Sequence, residues 1–290
     1  MAEMDIEKLR TMRVEDPDAI VRAASARTRR PLGERMLLIA ADHPARGSLA
    51  ARGRPQAMGD RGELLGRLVT ALGRPGVDGV LGTPDVIEDL LLLGALEERI
   101  VIGSMNRGGL AGSVFELDDR FTAYDAVTIA ATGLDGGKML VRIALEDPAT
   151  VRTLEHSAVA VSALAAEGLM AMVEPFMSHR EGGKVVNDLS PDAVIKSAGI
   201  ASALGNTSRH TWLKLPVVED MERVMASTTL PTLLLGGDPT GSDDDVFASW
   251  EKALELPGVR GLVVGRSLLF PQNDDVAAAV DIAAGLVSGV

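Results

Sequence analysis

Four apolar runs of this 290-residue chain carry ionisable side chains where a packed interior would not ordinarily place them. The sharpest case is Lys214, in Arg209-His210-Thr211-Trp212-Leu213-Lys214-Leu215-Pro216-Val217-Val218. The run has the pattern of a short buried strand. An ammonium is strongly hydrated, and lysine is seldom fully buried unless something pairs with it. Lys214 is therefore either an ion-pair member or a nucleophile. A second run ends in Asp42-His43, a third holds Lys138, Leu140 and Arg142 on one face, and a fourth ends in Glu174-Pro175. The bland reading is a buried ion-pair network. Desolvating so many charges costs several kcal/mol per ion, which favours an acid-base site instead.

The elements that would position these residues follow from the hydrophobic pattern. Short apolar runs alternate with amphipathic segments from residue 35 onward: Met36–Ala41, Val77–Leu81, Ile100–Gly103, Gly137–Ile143, Leu169–Val173, Thr211–Leu215, Thr232–Leu235 and Gly261–Val264. Helical patterns follow them, among them Glu63–Leu72, Pro84–Leu96, Tyr124–Thr132, Thr150–Glu167, Asp192–Leu204, Val218–Ala226, Asp243–Glu255 and Asp274–Val287. Ser104–Arg120 is a long polar, Gly-rich connection. Strands alternating with helices imply βαβ units and a parallel sheet. Eight such units in roughly 250 residues is the size of a TIM (β/α)8 barrel. An open doubly wound sheet is the rival, but no Gly-x-Gly-x-x-Gly follows the first strand. Residues 1–34 are expected to form a helical extension, centred on Asp16–Thr28, over the amino-terminal end of a barrel spanning 35–290.

In such a barrel the carboxyl ends of the strands carry the chemistry. The seventh strand runs into Gly236-Gly237-Asp238 and the eighth into Gly265-Arg266-Ser267. Glycines there let backbone N–H groups approach a phosphate closely, and Arg266 would add a charge-assisted bond. Glycine also simply ends strands, so each motif alone is weak. Four histidines are too scattered for a zinc site. His156 lies mid-helix, and His179 is either a loop-surface residue or a substrate contact from a lid; whether His43 touches substrate is open. Met170, Met172 and Trp250 read as packing, and Trp212 as packing or pocket wall. Asp243-Asp244-Asp245 opens a helix, where negative charge is favourable.

A formal net charge of −12 argues against nucleic acid, which needs a basic face. A small anionic substrate needs only local donors. The absence of cysteine removes disulfides and thiolate chemistry. The charged amino terminus has no apolar signal core, and no apolar stretch approaches the ~20 residues of a membrane span, so a cytoplasmic protein is expected.

Several segments resemble the class I (Schiff-base) aldolases of the deoxyribose-phosphate and tagatose-bisphosphate aldolase superfamily, from about residue 35 onward. Ala40-Ala41-Asp42-His43-Pro44-Ala45-Arg46-Gly47-Ser48-Leu49 resembles the first-strand motif, with Pro44 and Ala45 as extra residues. Asp135-Gly136-Gly137-Lys138-Met139-Leu140 is similar to the fourth-strand lysine segment. Val173-Glu174-Pro175 resembles the fifth-strand glutamate, Leu213-Lys214 the imine-forming lysine, and Val264-Gly265-Arg266-Ser267 the phosphate turn. Beyond Lys214 the chain departs from the tagatose-type enzymes, which have a longer acidic stretch before proline. The nearest likeness is to the barrel proteins found with inositol-catabolism genes in actinobacteria. It implies cleavage of 6-phospho-5-dehydro-2-deoxygluconate into dihydroxyacetone phosphate and malonate semialdehyde.

The resemblance implies that Lys214 forms an iminium with a phosphorylated keto substrate and that no cofactor is needed. A nucleophile poised near pH 7–8 needs its pKa lowered by about three units, roughly 4 kcal/mol. Burial and a second cation, Lys138 or Arg142, would do this. Glu174 is the expected proton carrier and Asp42 the second candidate, unless Asp42 binds hydroxyls or orients Lys138. Gly236, Gly237, Gly265, Arg266 and Ser267 would hold phosphate, and Arg142 is a further candidate substrate or phosphate contact. A homo-oligomer is the expectation for this superfamily. The rival readings are another imine-forming barrel enzyme (a transaldolase, a dehydratase or an acyl-transferring relative) and a non-catalytic sugar-phosphate-binding regulator.

Overall fold

A computed structural model describes residues 6–237 and 241–289. Two helices come first, α1 (Ile6–Glu15) and α2 (Ala19–Ala26), where the sequence suggested one helix over 16–28. Pro17 explains the break, because the residue before a proline is pushed out of the helical region. The chain then runs β1 (Met36–Ala40), α3 (Arg61–Leu72), β2 (Gly79–Gly82), α4 (Pro84–Leu92), β3 (Ile100–Ser104), α5 (Ala126–Ala131), β4 (Gly136–Ile143) and α6 (Ala149–Ala166). It continues β5 (Met170–Glu181), β6 (Lys184–Asn187), α7 (Pro191–Ser202), β7 (Thr211–Pro216), α8 (Met221–Ala226), β8 (Thr232–Leu235), α9 (Asp243–Leu254), β9 (Val259–Val264), α10 (Arg266–Leu269) and α11 (Val276–Ser288).

Eight parallel strands close into a barrel in the order β1-β2-β3-β4-β5-β7-β8-β9. The β4–β5 and β1–β9 pairings complete the ring. This is the TIM barrel the periodicity implies. β6 is additional: it returns antiparallel along the far end of β5 as a hairpin. The turn is Gly182-Gly183, both at positive φ (56° and 80°), as a two-residue hairpin turn of mirror-image type requires.

Alternation along each strand divides the core in two. Met36, Leu38, Ile100, Ile102, Met170, Met172 and Leu233 fill the barrel interior, with Trp212 packed against them. Leu37, Ile39, Val173, Leu213 and Leu215 face outward and join the helices in the main core. Met170, Met172 and Trp212 are thus interior packing. The interior positions nearer the carboxyl ends are polar: Lys138 on β4, Glu174 on β5 and Lys214 on β7 share the faces of Leu140, Met172 and Trp212. The barrel is apolar below and charged above.

Arginines from the amino-terminal segment hold the opposite end. Asp78 and Asp135 accept the N–H groups of Leu37 and Val101 (both 2.8 Å) at the start of the strands. Arg30 pairs with Asp78 at 2.7 Å and Arg29 with Asp135 at 2.9 Å, while Arg27 donates to the Arg99 and Gly133 carbonyls. Arg13 of α1 grips Asp89 of α4. Among the described residues, no helix is long and apolar enough to cross a membrane.

Candidate active site

Four side chains from four places in the chain meet above the apolar layer. Asp42 follows β1 and opens a short 3-10 turn, His43–Arg46. Lys138 Nζ donates to Asp42 Oδ2 at 2.8 Å and lies 2.6 Å from Glu174 Oε2. Lys214 Nζ reaches the same Glu174 oxygen at 3.1 Å. All four are nearly removed from solvent. Two ammonium groups and two carboxylates thus alternate along a chain, Asp42–Lys138–Glu174–Lys214, with the lysine of β7 at its end.

Position in that chain separates the two amines. Burial alone disfavours the Lys138 ammonium, but Asp42 and Glu174 outweigh it and hold the amine above its ordinary range. Lys214 has one close carboxylate and a neighbouring cation. Burial lowers it, Glu174 opposes, Lys138 lowers it further, and the net shift is downward. Burial raises the Glu174 carboxyl, yet Lys138 and Lys214 bring it to about 2. Asp42 is likewise held well below the usual carboxylate range by Lys138 against the effect of burial.

A cavity of about 440 Å³ opens onto this chain of charges. Lys214 and Glu174 are in its wall; Asp42 and Lys138 are not, and stand behind them. The wall also holds His43, Arg46, Arg142, Gly236, Gly237, Gly265 and Arg266, with Leu140, Phe176, Leu235 and Trp250 as apolar surface. His43 is neutral: burial lowers its pKa to about 3, with Arg46, Arg266 and Lys214 adding to the effect against Asp42. Among the described residues, no three His, Asp or Glu side chains are grouped to hold a metal ion.

A family model described as Cgl0159-like matches residues 34–284. The chain belongs to the Cgl0159-like family. The crystal structure of Cgl0159 from Corynebacterium glutamicum (Brevibacterium flavum) is 58% identical, covers 98% of this chain and 97% of that one, and superposes with a TM-score of 0.95. An archaeal fructose-1,6-bisphosphate aldolase, solved with its catalytic Lys covalently bound to the carbinolamine intermediate of the substrate, shares the barrel fold. It has 20% identity and a TM-score of 0.64, covering 88% of this chain and 94% of that one. The class 1 fructose-bisphosphate aldolase of Thermoproteus tenax is 33% identical over 95 residues. That match takes in 31% of this chain and about a third (34%) of the relative's own length.

Within this Cgl0159-like barrel the sequence-derived candidates do not all converge. Lys214, Glu174, Lys138 and Asp42 do. Arg142 does not act as the second cation beside Lys214; that place belongs to Lys138. Arg142 Nη1 instead pairs with Glu116, a buried residue of the 104–125 connection. Gly236, Gly237, Gly265 and Arg266 line the cavity, whereas Ser267 is buried outside the wall. Asp238 lies outside the described residues. The two strand-end glycines also have a packing reason. A Cβ on Gly265 would stand 2.4 Å from the Ala40 carbonyl oxygen, and one on Gly236 would stand 2.7 Å from Val264. Arg266 opens the short helix α10, which the sequence reading did not include, and donates to the Ala50 carbonyl at 3.3 Å.

His179 lies on the β5–β6 hairpin with its side chain 56% exposed, beside a different surface depression from that of Lys214. His156 is half-buried in α6 and meets the Phe121 ring edge-on. Trp250 is fully buried, packs in the core and closes one side of the cavity. Glu116 escaped the sequence reading, and Arg46, though part of the first-strand motif, was given no role there. Glu116 sits in a Gly-rich loop with no periodicity to place it.

Proposed function

We propose that this protein is a class I aldolase that cleaves a phosphorylated keto sugar or keto sugar acid through a Schiff base on Lys214. The observation that carries the reading is the buried amine of Lys214 in a cavity wall, its pKa lowered, with Glu174 at 3.1 Å and a second ammonium behind it. An amine in that setting is available as a nucleophile nearer neutral pH than a free lysine.

The neutral Lys214 amine attacks the substrate ketone, and loss of water from the carbinolamine gives an iminium. Glu174 takes the proton of the substrate hydroxyl as the carbon-carbon bond breaks. The bonding pair moves to the iminium nitrogen and leaves an enamine, and the aldehyde fragment departs. Protonation of the enamine and hydrolysis release the second product and regenerate the amine. Loss of the Lys214 proton removes one of the two cations that depress Glu174; the iminium restores that charge, and the bonding pair arriving at nitrogen neutralises it again as Glu174 takes the proton. Lys138 supplies the repelling charge and Asp42 holds it in place. Gly236, Gly237, Gly265 and Arg266 take the phosphate, with Ser267 packed behind Gly236.

The substrate we favour is 6-phospho-5-dehydro-2-deoxygluconate, yielding dihydroxyacetone phosphate and malonate semialdehyde in inositol catabolism. The sequence resemblance supports it, as does a cavity with cationic side chains at more than one point. The test is to offer the purified protein a panel of keto sugar phosphates and measure dihydroxyacetone phosphate released. Cleavage that survives Lys214→Met would refute the proposal.

A further inference from the structure

Arg46, in the turn after β1, and Arg142, on β4, both line the cavity and are not used by the proposed phosphate clamp. In the eight-strand ring β4 lies four places from β9 in either direction, so Arg142 stands across the barrel from Gly265 and Arg266. β7, with Lys214, lies two places from each. The reactive amine is therefore midway between two cationic ends.

The connection after β3 builds the Arg142 end. Arg107 donates to the Ala45 carbonyl at 2.8 Å, the Ala111 N–H to the Arg46 carbonyl at 2.9 Å, and the Gly112 N–H to Glu116 Oε2 at 3.0 Å. Glu116 holds Arg142 through Nη1, leaving Nε buried with no hydrogen-bond partner among the described residues. Among the described residues, no carboxylate forms an ion pair with Arg46. The two guanidiniums are close enough that Arg46, after burial, further lowers the proton affinity of Arg142. Two like charges held together in a cavity wall, with donors to spare, are matched by an anion.

We infer that Arg46 and Arg142 form a second anion-binding subsite, with Arg142 across the barrel from the phosphate clamp, which takes the carboxylate end of a phosphorylated keto acid. The keto group in this assignment rests on the aldolase reading; the two-ended recognition does not. Carboxylate fits better than a second phosphate because Glu116 and Asp119 already stand beside these arginines. The wall therefore carries little excess positive charge, which suits a singly charged planar group that a guanidinium fork can grip.

The probes are 6-phosphogluconate and glucitol 6-phosphate, which differ in the carboxylate. Neither has a ketone, so neither depends on Lys214 forming an imine. Calorimetry on the full chain should give 6-phosphogluconate a Kd about 10- to 100-fold lower than glucitol 6-phosphate. Arg46→Gln, a change at a half-exposed side chain, should erase the gap mainly by weakening 6-phosphogluconate. Arg142→Gln should do the same, but it frees a buried Glu116 and is read only if its circular dichroism is unchanged. Equal binding or no binding of the two probes by the unmodified protein would overturn the inference. So would equal weakening of both probes by Arg46→Gln, or tighter binding of glucitol 1,6-bisphosphate than of 6-phosphogluconate. Failure of borohydride to trap an adduct on Lys214 would instead sink the aldolase reading and leave this result standing.

Discussion

Lys138→Met should move the pH dependence of imine formation to higher pH. Both lysine Nζ atoms lie within 3.1 Å of Glu174 Oε2, which puts them less than about 6 Å apart. At an effective dielectric constant near 20, two unit charges at about 6 Å repel by about 3 kcal/mol, or roughly two pKa units. Methionine keeps the length of the side chain and removes that repulsion. It also leaves Asp42 and Glu174 to stabilise the one remaining ammonium, so the Lys214 pKa rises. The assay is the rate of cyanoborohydride-trapped adduct formation with dihydroxyacetone phosphate, followed from about pH 6 to about pH 10. The acid limb should move up by about two units, a loss of about 100-fold at neutral pH, while the alkaline plateau stays near the original. The variant's melting temperature will fall, because the carboxylates lose a buried partner; the limb is read below that transition. An unmoved limb, or one displaced to lower pH, would refute the assignment of Lys138 as the cation that tunes Lys214.

Glu174→Gln should split the reaction: Lys214 loses its stabilising carboxylate, so adduct forms at lower pH, while cleavage falls about 10²- to 10⁴-fold as proton transfer is lost. Parallel loss of both, measured by trapping and turnover, would contradict the role. Arg266→Ala should raise KM for a phosphorylated substrate about tenfold or more, as loss of a charged hydrogen bond requires, with kcat little changed; an unchanged KM would remove it from the clamp. Stability should fall on acidification. The folded protein holds His43 near 3 and Glu174 near 2, both below their unfolded values of about 6.5 and 4.5. The unfolded chain therefore binds more protons over that range. His43 destabilises first, as pH falls below about 6.5, and Glu174 follows below about 4.5. Urea midpoints measured across that range should decline, and His43→Gln should flatten the upper part; a flat profile would count against both shifts.

The barrel was legible because its strands are short apolar runs of regular spacing, and alternation put Lys138, Leu140 and Arg142 on one face. Lys214 was conspicuous because a buried ammonium is costly, which is a local fact of sequence. What β5 does beyond its apolar part was not legible. The sequence-derived fifth strand stopped at Val173, but Met170–Glu181 continues past Pro175 and turns at Gly182-Gly183. That glycine pair flanked by β-formers was an available hairpin signal. The partner of Arg142 could not be read at all, since Glu116 comes from a loop whose path is set by tertiary contacts. Lys138 and Arg142 were equal candidates for the second cation for the same reason: they share a face, Glu174 stands opposite Leu140 midway between them, and only the side-chain pairings, Lys138 with Glu174 and Arg142 with Glu116, distinguish them. Glycine at 236 and 265 was ambiguous in sequence, because close packing at the strand ends accounts for both residues as well as a ligand does.

The central claim is that Lys214 is the imine-forming amine. Incubation with a keto sugar phosphate that the protein cleaves, reduction with borohydride and peptide mapping by mass spectrometry test it directly. The expected result is one reduced adduct per chain, on the peptide containing Lys214 and absent from Lys214→Met. An adduct on Lys138, or turnover with none on either lysine, would contradict it.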